Sequence, residues 1–536
     1  MILKRILCLL VSAVLFLTFC GCSKSLENVS SSVTSTVIKD ETKGVRDYIT
    51  LLYSSADTFN PYTLKTDVNR QLCRLLYDPL VRVSDEFEPI KALAKSIEIK
   101  GKTCTVTLKV AEFSDGAIVT AEDVKYSYSL AKKSKTAYSK KLYEVKSVEV
   151  EGDKIIFNLN KNDPYFANVL DFPIIKENSD KKTNSDSVLL PPIGCGRYKL
   201  NKNNDGLVIN KKYYGKKGSI KKVKLINAPD NESVAHYTEI GAADLYFSEI
   251  SDGNILRMSG TREEINLNNM VYIGVNRNYS PLNEQALRQA ISAALNRTKI
   301  CEESFYNNAL PATGFFHPLW NETKAVQNIQ IQTNNEITIE NLEEIGYNKL
   351  NSGGIRVNSN GISLQFTLLV NSENRIRVLA ANTIASQLEA VGIGIKVIEM
   401  PYKKYKAALK KGDFQLYIGE TKFTDNMDLS SIIMRNGKSA YGLPKKKAVK
   451  ENESQKNDKT EKNEVEYVKT DSQKVLSEFY NGKNTIKDVA AVLQSEMPII
   501  PVCYRTGVLF YNVNIENVNN SSVSDIYFSI DSYLIN

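Results

Sequence analysis

Residues 363–370 (SLQFTLLV), 375–391 (RIRVLAANTIASQLEAV) and 393–398 (IGIKVI) decide the fold class. The outer two are short apolar runs that read as strands. The middle one is an amphipathic helix stopped by Gly392. A strand–helix–strand alternation implies a right-handed crossover and a parallel pair, hence a mixed α/β lobe.

Working outward, Tyr402 to Lys410 reads as a short helix and residues 271–276 (VYIGVN) as an apolar strand. After Pro281, a helix from about Glu284 to Asn296 puts Leu287, Ala290, Ile291, Ala294 and Leu295 on one face. Nearer the N-terminus, residues 47–53 predict a strand, and residues 67–81 a helix whose pattern ends at Pro79. Residues 102–110 (KTCTVTLKV) alternate strictly, as a strand with one wet face does. Thr120 caps a helix running to about Lys132, with Asp123 answering from the third helical position. Strands recur at 145–150, 154–159, 205–210 and 219–226, and Pro191, Pro192, Gly194 and Gly196 break the pattern between them. Near the C-terminus, a helix over 486–494 precedes Pro498-Ile-Ile-Pro501-Val-Cys-Tyr504, a Pro-marked strand suited to an edge or a crossing position.

With 536 residues, 42% hydrophobic and 24% charged, the composition is that of an ordinary globular protein of several domains. The net charge of +8 is spread too thinly to make a nucleic-acid face. Two His leave little for His-based metal sites or catalysis, and eight Cys are too few for a disulfide scaffold. There is no Gly-rich phosphate loop, zinc spacing or G-x-S-x-G. Nothing calls for a metal or cofactor, and nothing points to an enzyme.

The N-terminus specifies a destination. Lys4-Arg5 precedes an apolar run from Ile6 to Phe19, too short to span a bilayer but suited to a signal peptide over residues 1–21. Gly21-Cys22 then resembles a bacterial lipobox, with Cys22 as the lipidated residue and residues 22–44 as a Ser/Thr/Lys-rich tether. The expected location is extracytoplasmic, lipid-anchored to the cell membrane. Residues 444–471, with eight Lys and seven acids, read as a solvated, disordered loop. Cys73, Cys104, Cys195, Cys301 and Cys503 read as buried thiols, the oxidation of any pair being left open.

Several stretches, in order, resemble one family. Leu76-Tyr-Asp-Pro-Leu-Val81, Phe113-Ser-Asp-Gly116 with Thr120-Ala-Glu-Asp-Val-Lys-Tyr-Ser127, Ile193-Gly-Cys-Gly-Arg-Tyr198, Leu287-Arg-Gln-Ala-Ile291, Gln387-Leu388 with Gly392-Ile393, and Pro498-Ile-Ile-Pro501 are similar to motifs of family 5 solute-binding proteins, the oligopeptide and dipeptide receptors of ABC importers. The resemblance implies a periplasmic-binding-protein, Venus-flytrap fold of two lobes. Residues 45–74, 191–269 and 496–536 would form the discontinuous core of lobe I, 75–190 its inserted subdomain, and 270–495 lobe II. A short peptide or another small solute would be enclosed between them and passed to a membrane permease driven by an ATPase. The protein is expected to be a monomer.

The resemblance also places a candidate site. Peptide binders carry a G-W-x-x-D-x-x-D-P segment whose Asp pairs with the ligand's amine. The corresponding stretch is Gly419-Glu-Thr-Lys-Phe-Thr-Asp-Asn-Met-Asp428, with Glu420 at the Trp position and Phe423 at that Asp. Asp425 or Asp428 is left to replace it, with Asn426 between them, unless these acids cap the following helix. Trp320, in a loop the family places near the cleft, either stacks on ligand or packs the loop. Three readings stand: a peptide receptor, a receptor for a non-peptide solute, and a peptide-sensing lipoprotein without a transporter.

Overall fold

A computed structural model describes residues 46–250, 260–445 and 468–536. The predicted signal segment, Cys22, the tether and most of the charged loop lie outside the described residues.

The deciding segment folds as read. Strands Gln365–Asn371 and Gly394–Met400 pair in parallel, in register from Gln365 with Gly394 to Asn371 with Met400. Helix Arg375–Glu389 joins them. The Asn374 side chain caps it by accepting from the Arg377 N–H, and Ile376, Ala380, Ile384 and Leu388 bury one face. Gly392, at φ +87°, makes the turn back into the sheet, where a side chain would strain the backbone.

That pair is one edge of a seven-stranded sheet. Its order is Leu245–Ser248, Ile499–Tyr511, Thr261–Val275, Leu416–Lys422, Gln365–Asn371 and Gly394–Met400, with Ala309–Pro311 also paired to Ile499–Tyr511. The two long strands, Thr261–Val275 and Ile499–Tyr511, run antiparallel and serve both lobes. Ile265, Leu267 and Leu509 pack into the core of the first lobe. Met270 to Ile273 and Ile499 to Tyr504 pack into that of the second. The handover coincides with a register slip between Asn266 and Met270, the irregularity that lets a strand pair bend. The Pro-marked segment therefore crosses inside the sheet rather than lying at its edge. Pro501 is accommodated opposite Tyr272, beside a second slip.

The first lobe holds two four-stranded sheets. One comprises Tyr48–Tyr53, Lys222–Asn227, Gly206–Ile209 and Tyr198–Leu200; the other Ala94–Lys100, Thr103–Leu108, Lys154–Leu159 and Val145–Glu151. Helix Ala121–Lys133 carries the expected capping box of Thr120 and Asp123. The helix predicted over 67–81 stops earlier, at Leu76, because Pro79 and the extended Tyr77 take the chain out of helical geometry. The helix predicted over 284–296 ends at Ala293, since the Asn296 side chain caps a second helix, Arg297–Phe305. All five cysteines of the described residues are buried and free.

Two glycines fix how the 193–198 segment meets helix Asp67–Leu76. The Gly196 N–H donates to the Leu76 carbonyl at 2.9 Å. A Cβ on Gly196 would stand 2.4 Å from the Leu75 carbonyl oxygen, and one on Gly194 would stand 2.1 Å from that of Leu76. Backbone cannot yield as a side-chain tip does, so Gly196→Val is expected to cost about 3 kcal/mol or more. A melting temperature unchanged from wild type would contradict this packing.

Candidate functional site

A cavity of about 890 Å³ opens where the lobes face each other. One wall comes from helix Asp67–Leu76, the hairpin tip at Phe87 and the 135–141 segment; the other comes from the end of strand Leu416–Lys422 and its continuation through Asp425. Its volume suits a short peptide or a ligand of similar size. Phe87, Phe247 and Phe423 supply apolar surface.

The 423–428 loop is held in place from both sides. The Phe423 N–H donates to the Asn268 carbonyl at 2.8 Å, and the Asn268 side chain donates to the Thr424 carbonyl at 2.9 Å. Across the cleft, Lys141 Nζ lies 2.6 Å from both Asp425 and Asp171. Asn168 donates to the Asp425 carbonyl at 3.0 Å and to that of Phe87 at 2.7 Å. Asn426 donates to Asp163 at 2.6 Å. Lys161 meets Asp428 at 2.7 Å and lies 3.6 Å from the Tyr480 ring centre, and the Tyr480 hydroxyl donates to Asp428 at 2.6 Å.

Electrostatics follow from burial and these partners. Burial alone would raise the Asp428 carboxyl, but Lys161 and the donors around it outweigh that and lower it. Burial would likewise lower the Lys141 ammonium, and the charges of Asp171 and Asp425 reverse the sign, so it is raised. Asp163 is pushed up to about 6, chiefly by burial, against the hydrogen bond from Asn426. Its contribution to stability is therefore complete below its ordinary value of 3.8 and is lost as pH rises through about 6. Asp163→Asn is expected to remove that decline, gaining relative to wild type by up to about 3 kcal/mol between pH 4 and pH 7. Thermal melts of both proteins at these two pH values measure it.

The structure brings together Phe423 and Asp425 in the cavity wall. Asn426 and Asp428 stand just behind it, in contacts across the cleft. Asp428 also accepts from the Ser430 N–H at the start of the next helical turn, so it caps as well as pairs. Glu420 is turned away from the cavity lining and binds Arg377 at 2.6 Å. Trp320 is 1% exposed, lies outside the lining and packs edge-on against Tyr165 at 4.8 Å. Sequence reasoning missed Arg74, Lys141, Lys161, Asp163 and Asp171. They lie at a helix end or in irregular segments, where no periodicity or motif marks them.

The family model described as "Bacterial extracellular solute-binding proteins, family 5 Middle" matches residues 88–443. The chain belongs to this family. Family 5 proteins are extracellular solute receptors rather than enzymes. Among relatives, the oligopeptide-binding protein AppA of Bacillus subtilis is 26% identical over 73% of this chain and 75% of its own length. A putative ABC transporter peptide-binding protein of Brucella ovis is 26% identical over 60% of this chain and 62% of its own.

Solved structures share the two-lobe fold. AppA of Bacillus subtilis in complex with a nonapeptide aligns over 92% of this chain and 100% of its own, with TM-score 0.55 and 20% identity. The murein tripeptide binding protein MppA, in an unliganded open form, aligns over 92% and 98%, with TM-score 0.69 and 18% identity. NikA of Brucella suis, in complex with Fe(III)-EDTA, aligns over 91% and 100%, with TM-score 0.63 and 19% identity.

Proposed function

We propose that this protein is the receptor of an ABC importer, anchored outside the membrane by lipid on Cys22, that encloses short peptides between its lobes and delivers them to a permease. The observation that carries the reading is a peptide-sized cavity lined from both lobes of a family 5 fold. Relatives named as peptide-binding proteins support the peptide class. The working division is a discontinuous first lobe (45–74, 191–269, 496–536) with the 75–190 subdomain inserted, and a second lobe over 270–495. A cleft built within one chain supports the reading of a monomer.

The loop proposed to touch ligand is Phe423 to Asp428, with Phe423 and Asp425 facing it and Asn426 and Asp428 behind. Native mass spectrometry of protein purified without denaturation is expected to show co-purified peptides released on unfolding. Small-angle scattering is expected to show compaction with a peptide mixture. A single unchanged shape across a broad peptide panel, with no co-purified peptide, would overturn the reading. A non-peptide solute is the second reading, favoured by the NikA fold neighbour with its chelate and by Phe423 standing where peptide binders carry their amine-pairing Asp. A chelate or other solute released in the same experiment would establish it.

A further inference from the structure

The charges lining the cavity are unequally occupied. Its buried carboxylate, Asp171, and the Asp425 carboxylate facing it already share one partner, the Lys141 ammonium, at 2.6 Å from each. The second oxygen of Asp171 has no partner among the described residues, but it is sealed inside the protein and presents no surface to the cavity. A ligand ammonium would have to displace a tethered lysine from a doubly charged, partly buried site. Lys422 is paired with Glu249 at 2.6 Å, and Arg70 is paired with Asp67.

The cations are less well served. Arg74 lines the cavity, yet its guanidinium has only one long hydrogen bond, 3.5 Å to the Asp171 carbonyl, and no carboxylate within ion-pair distance among the described residues. A guanidinium carries five donors in a rigid fork suited to carboxylate, so this leaves most of its capacity unused in a partly buried position. Lys135 and Lys140, both exposed at the rim, also have no acidic partner among the described residues. Against these three stands Glu232 as the one lining acid without a partner there.

We infer that the cavity selects peptides through a carboxylate held by Arg74, with Lys135 and Lys140 attracting acidic ligands, and that Lys141 serves as a built-in ammonium that makes the peptide's own amine dispensable. The inference rests on the peptide reading above. It predicts a preference for acidic peptides and tolerance of a blocked N-terminus.

The test is affinity selection from a synthetic library of tri- to hexapeptides, half with free and half with acetylated N-termini, read by mass spectrometry. The expected result is enrichment of acidic members from both halves. Enrichment of basic members, or of free-amine members alone, would overturn the inference while leaving peptide capture standing. Retention of no peptide would overturn peptide capture and this inference with it.

Variants separate the roles. Arg74→Gln is expected to weaken the enriched acidic peptides about tenfold or more, the loss of one charge-assisted contact. Lys141→Met frees Asp425 and is expected to create a preference of about tenfold for the free-amine form. Lys141→Gln, smaller in its disturbance, should give the same direction. Folded variants with wild-type selection would overturn the assignment.

Discussion

Replacing Asp525 by Ala is expected to destabilise the first lobe by about 3–5 kcal/mol, as the removal of one member of a buried ion cluster does. Asp525 is 1% exposed and one of its oxygens serves two guanidiniums, Arg82 at 2.8 Å and Arg197 at 2.9 Å. Arg82 has a second acid, Asp78, at 2.6 Å, and Tyr214 donates its hydroxyl to that same Asp78. Among the described residues Arg197 has no second carboxylate; it also donates to the Phe528 carbonyl at 3.2 Å. Without Asp525, two buried cations would face one carboxylate, and Arg197 would be left to a neutral oxygen. The cluster also joins distant parts of the chain, tying the C-terminal segment to residues 78–82 and to Arg197. Ser522, Val523 and Ile526 on that segment line the cavity, so ligand affinity should fall along with stability. Thermal unfolding followed by circular dichroism measures the first effect. A loss below about 1 kcal/mol, typical of an exposed pair, would show that the cluster is not acting as a buried unit.

What could be read from the sequence divides along physical lines. Elements with a strong period were legible: the parallel pair around helix Arg375–Glu389, the alternating strand Thr103–Leu108 and the capping box at Thr120 all lie where pattern and propensity put them. Boundaries failed where a local side-chain choice overrode the pattern, as at Asn296, which ends one helix by capping the next. The long strand Thr261–Val275 was only half seen. Its first part, TREEINLNN, is polar and lacks an apolar period, yet it is held by pairing with Ile499–Tyr511 across most of its length. Of the candidate site, the 419–428 stretch was marked by its resemblance to a family motif, and Phe423 and Asp425 from it line the cavity. The site was illegible in its partners, because Lys141, Lys161 and Asp163 are ordinary surface-type residues that become special only when the two lobes face each other. The role of Asp525 had no local signal either, since its partners are hundreds of residues away.

Glu420→Ala is expected to cost about 3–5 kcal/mol while leaving ligand selection unchanged. The motif resemblance sets this residue at a Trp position, and the structure gives it work that a Trp could not do. Its carboxylate accepts from Arg377 at 2.6 and 3.1 Å and from the Asn269 side chain at 3.1 Å, and lies 3.7 Å from Arg505. Asn269 belongs to one crossing strand, Arg505 to the other, and Arg377 to the helix that covers the sheet. One carboxylate thus ties the two strands that connect the lobes. The Arg505 side chain is 2% exposed, and it also donates to the carbonyls of Glu249 and Ile250. Truncating Glu420 would leave Arg505 and Arg377 without a buried counter-charge. The pH dependence carries its own sign. Burial alone would raise this carboxyl, but Arg377 and Arg505 lower it below the ordinary 4.5. Its stabilisation is therefore full above that value and is lost as pH falls through the lowered one. The stability gap between wild type and Glu420→Ala should be widest near neutrality and close in acid. A gap that persisted in acid would mean the carboxylate acts by packing rather than by charge. A shift in which peptides bind, with stability unchanged, would move Glu420 from the crossing strands into the ligand site.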